Sequence, residues 1–148
     1  MMDEKRLQEL IDQYTNVYLF ATKKLERLLV EKAMPLSLEQ FGILRVLHIR
    51  GQTTAGEIAR ESDVHKSAVT TKIARLEKLG FVRRTSDPED RRSRVIALTD
   101  EGSEAFETCR RAVTSFITPF FEKLSEEELE TFLRVYSKLN TMLEEDQR

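Results

Sequence analysis

From Val64 to Gly80 the chain reads Val-His-Lys-Ser-Ala-Val-Thr-Thr-Lys-Ile-Ala-Arg-Leu-Glu-Lys-Leu-Gly. Wound at about 3.6 residues per turn, this stretch has two faces. Val69, Ile73 and Leu76 fall at the spacing of a helix that packs on a core. Ser67, Thr70, Thr71, Ala74, Arg75 and Lys78 fall opposite, small groups and cations with no acid among them. Such a face allows close approach to a polyanion, as a recognition helix must.

The flanking residues place this helix in a larger unit. Ala55 to Glu61 reads as a short helix with Ile58 and Ala59 inward, and Ser62-Asp63 as a tight turn, giving the order helix, turn, helix. Gly80 is a helix stop. After it, Phe81-Val82-Arg83-Arg84-Thr85 and Val95-Ile96-Ala97-Leu98 read as two short strands. The turn between them, Ser86 to Ser93, holds a proline, aspartates and the paired Arg91 and Arg92, so the hairpin has a basic projecting tip. A solvated hairpin whose charges blunt a sheet edge is the plainer reading. Its position directly after a basic helix favours DNA contact.

The net charge of −2 hides an uneven distribution. From Val64 to Arg94 there are nine cations and four acids, a net of +5, which leaves −7 on the remainder. A basic face on an acidic body is an electrostatic footprint for DNA. With 148 residues, 40% hydrophobic and 34% charged, the chain is expected to form one helix-rich folding unit. No apolar run approaches the roughly 20 residues that span a bilayer. The first residues, Met1 to Arg6, lack the pattern of a secretory signal, so a cytoplasmic protein without membrane association is expected. The single cysteine, Cys109, and the two histidines, His48 and His65, form no metal-ligand spacing, so neither metal nor cofactor is expected.

Upstream, apolar residues from Leu7 to Leu29 recur at three and four residues with no proline or glycine, predicting one amphipathic helix from Asp3 to about Lys32. It reads as a core helix, or, at about thirty residues, as one whose stripe packs partly on a second subunit. Met34-Pro35-Leu36 breaks it, and Ser37 with Gln40 has capping-box spacing for a helix ending at Gly51, with Phe41, Leu44, and Val46 or Leu47 inward. Thr53 or Thr54 is the expected cap of the next helix. Downstream, Thr99 caps a helix whose apolar side includes Phe106, Phe116 and Phe120, with Pro119 a kink or stop near its end. Ser125 with Glu128 forms a second capping box before Leu129, Phe132, Tyr136, Leu139 and Leu143. The amphipathic terminal helices suit a two-fold helical interface.

The run Ser67 to Arg84, ending Leu76-Glu77-Lys78-Leu79-Gly80-Phe81-Val82-Arg83-Arg84, and the signature Asp90-Arg91-Arg92 leading to Val95-Ile96-Ala97-Leu98-Thr99-Asp100-Glu101-Gly102, resemble the MarR family of bacterial winged-helix transcription regulators. The resemblance covers nearly the whole chain. It implies a mainly α fold: a winged helix-turn-helix core at about residues 37–100 with a two-stranded wing, flanked by dimerisation helices at about 3–33 and 100–145. It implies a ligand-responsive repressor acting as a homodimer on a pseudo-palindromic site in double-stranded DNA, with recognition helices in successive major grooves and wings in the adjacent minor grooves. On that reading Lys66, Ser67, Thr70, Thr71, Lys72 and Arg75 contact DNA from the helix, and Asp90, Arg91, Arg92 and Arg94 belong to the wing. Asp90 would buttress the wing, and Arg92 would be its minor-groove arginine.

Peroxide-sensing members carry a reactive cysteine in the first helix, where this chain has Tyr14 and Tyr18. Cys109 reads as a small packed side chain. Other members bind phenolic or lipophilic effectors between the dimer helices and the winged core. Tyr18, Phe41, His48 and Phe106 are the candidates to line such a pocket, and core packing explains most of them equally well. A winged-helix module that binds protein is the competing class. An enzyme would need a nucleophile, base or metal constellation that two histidines and one distant cysteine do not supply.

Overall fold

The computed structural model describes residues 1–32, 35–62, 64–86, 89–90, 92 and 94–146. Its elements are α1 (Glu4–Asn16), a π-helical segment (Val17–Thr22), α2 (Lys23–Lys32), α3 (Leu38–Arg50), β1 (Gln52–Thr53), α4 (Ala55–Ser62), α5 (Lys66–Lys78), β2 (Val82–Ser86), β3 (Arg94–Leu98), α6 (Asp100–Phe121) and α7 (Glu126–Asp146). They fall into two compact units, Met1–Val113 and Thr114–Arg148.

Helix α3 is the centre of the first unit. Ser37 accepts the Gln40 amide and the Gln40 side chain accepts the Ser37 amide, both at 3.1 Å, so the predicted capping box closes its N-terminus. Gly51 ends it at φ 84°, a left-handed position that disfavours any side chain. Between these caps α3 buries Ile43, Leu44, Val46 and Leu47, turning apolar residues toward several neighbours at once. Ile58 of α4, Val69, Ile73 and Leu76 of α5, Val82 of β2, Ile96 of β3 and Phe106 of α6 complete one cluster with them. Each such side chain contributes on the order of 1.5–3 kcal/mol by leaving water.

The strands form an antiparallel sheet in the order β1-β3-β2. Val82 pairs with Leu98, and the register runs to Ser86 opposite Arg94. The hairpin is the predicted one, with boundaries shifted by a residue. Strand β1 is an addition to it: Gln52 pairs with Ala97 and Thr53 with Ile96. This edge pairing satisfies backbone groups that the sequence alone leaves looking like a linker.

The N-terminal segment departs from the single regular helix expected. Asp3 caps α1 by accepting the Arg6 amide at 2.8 Å, but from Val17 the pattern widens, and the Lys23 amide reaches back to the Tyr18 carbonyl. Each residue inserted by a π turn rotates the downstream stripe by about 100°. Nothing between Asp3 and Lys32 announces this, since no proline or glycine lies there. Leu29 is the buried residue of the segment, while Leu7, Ile11, Tyr14, Val17, Leu19 and Phe20 are exposed.

In the second unit, Pro119 lies inside α6 close to its end at Phe121, as the sequence predicts. Ser125 and Glu128 form their capping box at 3.1 Å in both directions. The bonds from Ser125 hold the Glu128 carboxyl below its ordinary range. No residue of α7 is buried, and Phe132, Leu133, Tyr136, Leu139 and Leu143 stand exposed along it.

Candidate nucleic-acid interface

Helix α5 is oriented by its apolar row. Val69, Ile73 and Leu76 are 0–1% exposed in the core, which forces Lys66, Ser67, Thr70, Thr71, Ala74, Arg75 and Lys78 outward into solvent. The split matches the two faces read from the sequence. At its C-terminus the Gly80 amide bonds the Glu77 carbonyl at 3.0 Å and the Phe81 amide bonds the Leu76 carbonyl at 2.9 Å. With Gly80 at φ 83°, this is a Schellman stop. At the N-terminus the cap is His65, whose ring Nδ1 accepts the Ser67 amide at 3.3 Å and lies 2.8 Å from the Ser67 hydroxyl. Sequence reasoning missed this cap because histidine is outside the usual set of N-cap residues. Asp63, read from the sequence as part of a tight turn, lies outside the described residues.

Two ion pairs sort the charges around this face. Lys72 is half-buried and its ammonium lies 2.8 Å from Glu39 in the first turn of α3, so it flanks the exposed row rather than standing in it. Glu77 is the one acid of α5, and its carboxylate lies 3.6 Å from Arg84 of β2. The pairing screens the acid that would otherwise repel a phosphate. Neither partner, Glu39 nor Arg84, is identifiable from periodicity, because each acts across elements.

In the wing, Asp90 accepts the Arg92 amide at 3.0 Å, a bond through which the carboxylate shapes the turn. Arg92 is exposed, and Arg94 is exposed at the start of β3. Arg91 lies outside the described residues, as do Asp87, Pro88 and Ser93.

The base of the wing is locked to α6. Thr99 is the cap predicted: its hydroxyl oxygen accepts the Gly102 amide at 3.0 Å. It also donates to the Gly80 carbonyl at 2.5 Å, while the Thr99 amide donates to the Phe81 carbonyl at 3.1 Å. Gly102 packs so tightly on Phe81, the residue before β2, that a Cβ there would lie 1.9 Å from the Phe81 carbonyl oxygen.

Of the four candidate effector residues, three converge. The Phe106 ring, 4% exposed, stacks on Phe41 at 5.5 Å and on His48 at 4.4 Å between ring centres. Tyr18 stacks on Tyr14 at 6.2 Å. Cys109 is fully buried; desolvation pushes its thiol up, against the smaller opposing effect of a hydrogen bond with the Leu36 backbone. That is the packed cysteine expected. Among the described residues no cluster of histidine, cysteine, aspartate and glutamate is placed to hold a metal ion, and no helix is long and apolar enough to cross a membrane.

Residues 36–93 match the model of the MarR family. The chain is 34% identical over 139 residues, covering 93% of its own length and 99% of the relative's, to the uncharacterized HTH-type transcriptional regulator YwhA of Bacillus subtilis. It is 32% identical, over 74% of its length and 70% of the relative's, to the HTH-type transcriptional repressor MdtR of the same organism. A crystal structure of a cysteine-to-serine mutant of MarR from E. coli, complexed with operator DNA, superposes with a TM-score of 0.75 at 24% identity, covering 93% of this chain and 99% of that one.

Proposed function

Because the chain belongs to the MarR family, and is a DNA-binding transcription regulator rather than an enzyme, we propose that it acts in the cytoplasm as a ligand-responsive repressor, a homodimer on a pseudo-palindromic operator. The observation that carries the proposal is the exposed face of α5, where Lys66, Arg75 and Lys78 stand and the one acid, Glu77, is paired with Arg84. On this reading Ser67, Thr70, Thr71 and Arg75 enter the major groove and read base edges. Lys66 and Lys72 hold phosphates, Lys72 exchanging Glu39 for the DNA backbone. Arg92, with Arg91 and Arg94 beside it, reaches the minor groove, where a narrow A·T-rich stretch concentrates negative potential.

The dimer is supported by the exposed apolar residues of the N-terminal helices and of α7, each a stripe that water covers poorly. A second copy of the chain is the cover proposed. Repression accords with MdtR, a relative named for it. A small aromatic or lipophilic effector is proposed for the neighbourhood of Phe41, His48 and Phe106, with Tyr18 contributing from the N-terminal segment. The experiment is a titration of operator DNA, selected by the protein from random duplexes, at several salt concentrations, with sedimentation alongside. A dimer whose log affinity falls steeply with log salt is expected. A flat plot would refute the electrostatic basis of the interface, and a monomer at micromolar concentration would refute the two-fold site.

A further inference from the structure

The hydroxyls on the face of α5 are not free rotors. The Thr70 hydroxyl donates to the Lys66 carbonyl at 3.1 Å, and the Thr71 hydroxyl donates to the Ser67 carbonyl at 3.3 Å. Both hydrogens therefore point back along the helix. The hydrogen of Ser67 is decided by His65. Since Nδ1 of that ring accepts the Ser67 amide, it carries a lone pair and no hydrogen. In the tautomer with Nδ1 as acceptor, the 2.8 Å contact with Ser67 Oγ has the hydroxyl as donor, sharing the Nδ1 lone pair with the Ser67 amide. A hydroxyl has one hydrogen, and once that is committed only lone pairs remain for an incoming group.

Resting on the reading of α5 as a major-groove helix, we propose that His65 is a positioning residue: it completes an acceptor-only row of Ser67, Thr70 and Thr71, so that Ser67 reads an exocyclic amine, adenine N6 or cytosine N4. In the major groove these amines are the donors that bases present, whereas guanine O6 and N7 and thymine O4 are acceptors. Lone pairs facing guanine or thymine oxygens would be opposed with no hydrogen between them. Arg75, farther along the same face, carries only donors and is the complement that takes guanine. The two halves of one helix thus divide the base-edge code, with the N-terminal half seeking donors and the C-terminal half acceptors.

The test uses the full chain and an operator it has selected from random duplexes. At each position adenine is replaced by purine and cytosine by 2-pyrimidinone, which remove the exocyclic amine, with the same replacements outside the bound site as controls for weakened pairing. At one position per half-site the wild-type protein should lose about tenfold in affinity. Ser67→Ala and His65→Ala should bind more weakly and no longer distinguish the two duplexes. His65→Asn should restore the distinction, because its side-chain oxygen accepts at the same cap position. It also keeps the result readable should His65→Ala prove too unstable. The proposal is overturned if no amine removal weakens the wild-type complex, or if His65→Ala retains the full amine dependence. A chain that selects no duplex at all overturns the major-groove reading of α5 and this proposal with it.

Discussion

Replacing Gly102 by alanine tests the joint between wing and α6 through the sign of its effect. In an open helical position Gly→Ala stabilises by up to about 1 kcal/mol, since alanine loses less backbone entropy on folding. At Gly102 the added Cβ meets the Phe81 carbonyl oxygen at 1.9 Å and the Phe81 carbonyl carbon at 2.8 Å. Ordinary carbon–oxygen contact begins near 3.3 Å, so α6 and the Phe81 backbone must part by roughly 1.4 Å. Phe81 cannot yield alone, because its carbonyl accepts the Thr99 amide and its amide closes the stop of α5. Overpacking costs about 1–3 kcal/mol, and each hydrogen bond strained adds about 0.5–1.5 kcal/mol. Against the propensity gain, the net is a destabilisation of about 2–3 kcal/mol. For a chain of this size that lowers the melting temperature by roughly 4–12 °C. Gly42→Ala in α3 is the matched control, because a Cβ there has no neighbour within 4 Å; it should melt at or slightly above the wild type. Differential scanning calorimetry on both variants decides the matter. If Gly102→Ala melts as high as Gly42→Ala, the close approach of α6 to Phe81 is wrong.

Arg92→Ala should weaken operator binding at least tenfold at unchanged thermal stability, because an exposed tip side chain contributes little to folding; the Arg91, Arg92, Arg94 triple alanine variant is the control for substitution by neighbours, and wild-type binding by that variant would remove the wing from the interface. Asp90→Ala should act in the same direction with a small stability cost, through loss of its bond to the Arg92 amide. Glu39→Gln should raise operator affinity about two- to fivefold at low salt, because Lys72 is released and one acid beside the DNA face is removed; exposed pairs of this kind are worth about 0–1 kcal/mol, so stability should barely change. Weaker binding by Glu39→Gln would mean that the ion pair positions α5 instead of competing with phosphate. Cys109 should react with a thiol-disulfide reagent at pH 8 on the order of a hundredfold more slowly in the folded protein than in denaturant, since burial both raises its thiol and blocks access; comparable rates would refute its packed role.

What was legible in the sequence is what short-range chemistry fixes. The two faces of α5, the capping boxes at Ser37 and Ser125, the stops at Gly51 and Gly80 and the cap at Thr99 all follow from residues within one or two turns of each other. Strand β1 escaped because two residues carry no alternation, and their pairing is dictated by the free edge of β3. The π-helical segment escaped because its residues suit an α-helix equally well. Within the interface, the exposed side chains were readable and their partners were not. Glu39 reaches Lys72 from a different helix, Arg84 reaches Glu77 from a strand, and His65 caps through a ring nitrogen that composition rules do not count.

The Thr99 cap makes helix and wing one mechanical piece. Thr99 alone bonds the Gly80 carbonyl, the Phe81 carbonyl and the Gly102 amide, so it joins the end of α5, the entry to β2, the exit from β3 and the start of α6. Tilting the wing against α5 would break these bonds and part Gly102 from Phe81. Each of these partly exposed bonds is worth about 0.5–1.5 kcal/mol, so the joint resists bending more than it resists displacement as a whole. In the homodimer proposed above, a signal that alters DNA binding therefore has to move helix and wing together, changing the spacing between the two half-site readers, or else melt this joint. Gly102→Ala strains the joint, and an effector that acts by displacement should leave its four hydrogen-bonding residues as protected from amide exchange as before.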